Sequence, residues 1–156
     1  MPRLAATRRA LAWLLALSCL AALATGQSAL AARGDAGARR VVRTQSTTVW
    51  AQYGRAESCF AQRSAPCVSS STFMLYAAAV QARSSVGALL SRPLSATVRT
   101  GVQRYAAALD MQVRLSFQLY QAGLSRYIAR IEQAMMSMRA SFRDTDPAVA
   151  LVLGST

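Results

Sequence analysis

The chain has no histidine, and reading along its 156 residues finds no lysine and no asparagine either. Without an imidazole there is no Ser/His/Asp or Cys/His arrangement, no imidazole base and no ordinary zinc or haem site. Without lysine there is no Schiff base, and no P-loop, whose Gly-Lys-Ser/Thr needs that ammonium. Acids are scarce too: Asp35, Glu57, Asp110, Glu132, Asp144 and Asp146. Only the last two are neighbours, beside Pro147, and they read as a solvated helix stop. Asp110 and Glu132 would stand about 33 Å apart on a continuous helix, far beyond the separation a two-carboxylate glycosidase tolerates. The sequence therefore predicts no catalysis, no cofactor and no metal site.

What is present begins with an export signal. Arg3, Arg8 and Arg9 precede the apolar run Ala10 to Ala24, the charged-then-hydrophobic order of a secretory leader. The run is short of the roughly 20 residues that span a bilayer as a helix. Small residues at Ala24 and Gly26 place the cut before Gln27, so residues 1–26 are expected to leave. Ala29 and Ala31 offer a second cut, and an uncleaved signal anchor is the alternative. The location expected is secreted or extracellular, periplasmic in a bacterium.

All 18 basic residues are arginine, and fifteen of them lie beyond the leader against six acids, a net charge of +9. Ile128 and Ile131 are the only isoleucines, so a GC-rich genome is one account of arginine replacing lysine. Attraction to an acidic glycan or an anionic membrane is the other. Nucleic acid is a poor partner for an exported chain, and no nucleic-acid-binding pattern occurs. Cys19 leaves with the leader. Cys59 and Cys67, with seven residues between them, most simply form one disulfide in an oxidising compartment.

Residues 27–45 are mainly Ala, Gly, Ser and Arg and read as a disordered arm. The arm carries Arg33-Gly34-Asp35, an integrin-type tripeptide, and a dibasic Arg39-Arg40 ending in Arg43, open to processing proteases. The helical domain is expected over 46–147, with an apolar tail at 148–156. Trp50, Tyr53, Glu57 and Phe60 predict a helix over about 47–62. A second is expected over about 71–91, ended by Arg92-Pro93.

From Ser95 apolar residues recur at Val98, Val102, Tyr105, Leu109, Val113, Phe117, Tyr120, Leu124, Tyr127, Ile131, Met135, Met138 and Phe142. Their spacing is close to the 3.6-residue helical period. Residues 111–119 alternate apolar and polar like a strand, but Leu, Met, Gln and Arg favour helix. Met111, Leu115 and Leu119 then make a second apolar row that calls for another partner. An unbroken helix over 95–143 would be some 70 Å long. Either Gly123 bends it into two antiparallel pieces, giving four helices, or its free half pairs with another subunit; the continuous rod is slightly preferred. The expected fold class is all-α, a small bundle or hairpin with one long C-terminal amphipathic helix and a coiled-coil homo-oligomer.

No motif specifies a ligand. Arg126, Arg130, Arg139 and Arg143, two i,i+4 pairs, are the candidate anion-binding edge, with Tyr127 as a stacking ring beside them. The expected function is a small basic interaction or structural protein. A helical carrier of an apolar ligand, or a precursor releasing a cationic membrane-active fragment, are the alternatives.

Overall fold

A computed structural model describes residues 3–154, with side chains from Leu30 onward. The side chains of residues 1–29, and the cleavage expected before Gln27, lie outside what the structure describes. The described residues form four helices, α1 (Arg3–Ala61), α2 (Ala65–Gly87), α3 (Ala96–Ser125) and α4 (Ile128–Leu153), with a 3-10 turn at Ala88–Ser91. There is no strand among the described residues, and 111–119 is helical. Short turns make successive helices antiparallel. α2 packs between α1 and α3, and α3 between α2 and α4, while the α1/α4 seam that closes the ring is the sparsest of these.

Each turn has a local cause. At the first, Arg63 takes a left-handed conformation (φ 53°), its N–H donates to the Phe60 carbonyl, and the Ser64 N–H donates to that of Cys59. Pro66 sits in the first turn of α2, where its missing N–H is no loss. Cys59 and Cys67 meet across this turn at disulfide distance, their Cα atoms 5.3 Å apart. At the second turn Arg92 is extended (ψ 156°), as the residue before a proline must be. The Ser95 side chain then accepts from the Val98 N–H and starts α3.

The long rod does not form. It breaks at Arg126, left-handed at φ 56°, and Tyr127, which is extended, three residues beyond the glycine expected to bend it. Gly123 instead lets α2 and α3 approach, since a Cβ there would lie 3.1 Å from the Ser69 backbone. A left-handed arginine costs about 1–2 kcal/mol. Folding back buries Met135, Met138 and Phe142 at 1% exposure or less, each a gain of roughly 1.5–3 kcal/mol, so the hairpin wins.

α4 also runs through its expected stop. Pro147 lies inside it, and the helix ends only at Gly154, φ 75°. The residues expected as a tail are its last turns: Ala148 and Val152 are buried against Gly101, where a Cβ would come within 2.7 Å of Val152 Cγ2. That packing, with α1's Arg39 donating to the Val152 carbonyl at 3.2 Å, offsets the hydrogen bond the proline removes.

The expected disordered arm, 27–45, is helical and continues α1. Ala38 and Val42 are fully buried there, in series with Val49, Tyr53 and Ala56. Asp35 accepts the Ser95 N–H at 3.0 Å, capping the α2–α3 connection from across the bundle. Composition hid this segment because its buried face is built of small residues at helical spacing. Ala38 and Val42 stabilise little alone, but they meet a preformed surface.

In the second half of α3 the buried face is not the expected stripe. Gln112, Ser116 and Leu119 are interior, while Phe117 and Leu124 are 43% and 59% exposed. Gln112 Nε2 donates to Thr145 Oγ1 at 2.9 Å, and the Thr145 hydroxyl donates to the Ser141 carbonyl. Sitting between two neighbours, α3 must turn one face to α2 and another to α4. Its inward residues are those between the two, whatever their polarity.

Candidate anion-binding surface

The four arginines expected to form one edge are divided by the fold. Arg126 closes α3 and Arg130 opens α4, so both flank the α3–α4 turn with Tyr127 between them. The Arg130 guanidinium lies 5.6 Å from the centre of the Tyr127 ring, within cation–π range. Tyr127 is 60% exposed. Beside this corner the groove between α3 and α4 opens into a cleft of about 360 Å³ lined by Gln118, Gln121, Ser125, Arg130, Gln133 and Ser137, with Ala122 and Ala134. Its amides and hydroxyls both donate and accept, and Arg130 is the only charged side chain in the lining.

Arg139 lies elsewhere, at the α1/α4 seam, and is already occupied. Its Nε donates to Glu57 Oε1 and its Nη2 to Oε2, each at 2.7 Å. It also stands 5.6 Å from the Phe60 ring centre. The Tyr53 hydroxyl donates to the same carboxylate, and the Tyr53 ring stacks on Phe142 at 4.0 Å while Trp50 meets Phe142 edge-on at 4.8 Å. Arg139 holds the Glu57 carboxyl below the usual glutamate range. Burial, then donation to Glu57, pushes the Tyr53 hydroxyl far up. This ionic and aromatic cluster clasps the thinnest seam of the bundle. Arg143 projects beside it over a shallow cleft of about 270 Å³ lined by Trp50, Tyr53, Arg139 and Phe142.

The candidate edge is thus reduced to Arg126, Tyr127 and Arg130. Their i,i+4 spacing suggested one helical face, but the backbone turns at Arg126 itself. Glu57 as the partner of Arg139 was not legible, since 82 residues separate them. At the same end of the bundle a further cleft, of about 340 Å³, is lined by Phe60, Ala61, Arg63, Ala65, Val68, Ile128, Ile131 and Glu132. Among the described residues, no three of His, Cys, Asp or Glu gather where they could hold a metal ion.

No family model matches the chain, and no curated protein or solved structure proves similar to it.

Proposed function

We propose that this is an exported, non-catalytic helical bundle whose arginine-rich surface holds an anionic partner, an acidic glycan or an anionic membrane. One observation carries the reading. Of the fifteen arginines beyond the leader, only Arg83 and Arg139 are ion-paired among the described residues. Uncompensated guanidinium groups attract dense arrays of sulfate, carboxylate or phosphate over a range set by salt.

The test is chromatography of the processed protein on heparin. Retention should fall steeply as salt rises, and Arg126→Ala/Arg130→Ala should elute earlier, whereas Glu57→Gln/Arg139→Gln, which removes a matched pair and leaves the net charge unchanged, should elute nearly unchanged. Salt-insensitive retention, or a double variant eluting with the parent, would reject the reading. Intact mass of material recovered outside the cell checks export and should begin at Gln27.

The apolar lining of the cleft between Phe60 and Ile131 favours a second reading, a carrier of a small apolar ligand. Mass spectrometry of the purified protein after organic extraction would find that ligand. A mature N-terminus at Thr44 would instead mark a precursor cut inside α1. Light scattering at twice the monomer mass would indicate the self-paired oligomer.

A further inference from the structure

We infer that the outward face shared by α2 and α3 is a docking surface that seats this protein on an anionic lipid bilayer. The inference rests on the anion-binding reading above and names its partner.

α2 exposes large apolar side chains as well as burying them. The stretch Ala65–Ser91 is long and apolar enough to cross a membrane, yet only 33% of its most apolar window is buried in the bundle. Phe73 and Val80 are 50% and 42% exposed, and α3 adds Phe117 and Leu124. Their rings form a continuous array across the two helices: Phe73 lies 5.6 Å from Tyr120, and Tyr76 lies 5.5 Å from Phe117. A soluble bundle gains nothing by presenting such a patch to water.

Charge selects the occupant. Arg83 is the one charged residue between Ala65 and Ser91, and Arg114 the one between Met111 and Ser125. The acid on this face, Asp110, is bound to Arg83 at 2.8 Å. Arg55 lines the groove beside Met74 on the α1 side, and exposed Leu124 comes two residues before Arg126 in the chain. The apolar patch is therefore flanked by Arg55, Arg114 and Arg126, none of them ion-paired among the described residues, and the one acid of α2 and α3, Asp110, is matched by Arg83. A second copy would bring the same positive rim against it, whereas an anionic bilayer supplies phosphate for the rim and acyl chain for the centre. Tyr76 and Tyr120, aromatic with a polar tip, suit the boundary between the two.

The experiment is flotation of the processed protein with vesicles of phosphatidylcholine alone or with about one third phosphatidylglycerol, at near-physiological salt. Binding should require phosphatidylglycerol. Phe73→Ser/Phe117→Ser, both exposed sites, should lower the partition coefficient about tenfold or more while leaving helical circular dichroism and heparin retention unchanged. Arg143→Ala, at the opposite seam, should partition like the parent. Phe117→Trp should add a blue-shifted emission component on binding.

Parent-like partitioning of the serine double variant, or an added indole that stays water-exposed on vesicles, overturns the docking face. So does heparin retention without any vesicle binding, which leaves the anion-binding reading standing. Loss of heparin and vesicle binding together in the parent protein removes both. A dimer in light scattering that the serine variant dissociates overturns the bilayer in favour of self-association.

Discussion

Arg139 on α4 grips Glu57 on α1 through two parallel hydrogen bonds of 2.7 Å, across a seam where the helices otherwise touch little. The guanidinium keeps the Glu57 carboxyl ionised below its ordinary range. A depressed folded-state pKa adds stability that is complete above the unfolded value, about 4.3, and is lost as pH falls through the folded one. Both side chains are part-exposed, so the pair is worth only about 1 kcal/mol. Glu57→Gln should lower the free energy of unfolding measured in urea at pH 7 by that amount, and the gap to the parent should close as the solution is acidified below pH 4. A gap independent of pH would show that the carboxylate charge contributes nothing.

The interior pair Gln112 and Thr145 predicts an asymmetry. Thr145→Val strands the Gln112 amide, whose Oε1 already lacks a partner, and should destabilise by about 1–3 kcal/mol. Gln112→Leu leaves only the Thr145 hydroxyl, which keeps its bond to the Ser141 carbonyl, and should be near neutral. Chemical denaturation of both variants measures it, and equal losses would contradict the assignment.

Two glycines should respond oppositely to alanine. At Gly54 a Cβ meets nothing within 4 Å, so Gly54→Ala should raise stability by about 0.5–1 kcal/mol through helix propensity. At Gly101 the Cβ would come 2.7 Å from Val152 Cγ2 and 3.1 Å from the Val152 backbone nitrogen. Gly101→Ala should push the last turns of α4 outward, at a net loss of about 1–2 kcal/mol. Thermal unfolding of the two variants side by side reads the sign.

The Cys59–Cys67 link closes a short loop, so Cys59→Ser/Cys67→Ser should cost about 2.5 kcal/mol or less by chain entropy. The double variant should remain helical with a lowered denaturant midpoint. Collapse of helical circular dichroism would mean that the link is needed for folding.

Much of the secondary structure was legible. Ser95 as the cap of α3, Arg92-Pro93 as the end of the second helical segment, and Val98 to Leu109 as a buried stripe all follow from local chemistry acting within a turn or two. The Cys59–Cys67 pairing followed from their number and spacing. Less of the candidate site was legible, because it depends on which arginines find acids, and both pairing acids lie on other helices: Glu57 for Arg139, Asp110 for Arg83.

Periodicity and composition alone determined an all-helical, cationic chain, because backbone hydrogen bonding and apolar spacing act over a few residues. Only the tertiary structure decided that the rod folds back at Arg126, that the alanine-rich arm joins the bundle through Ala38 and Val42, that α4 passes Pro147, and that Gln112 rather than Phe117 faces inward. Each of these depends on area buried against a distant helix. That gain outweighs a left-handed residue, a missing N–H or a buried amide, and it does not exist until the four helices are together.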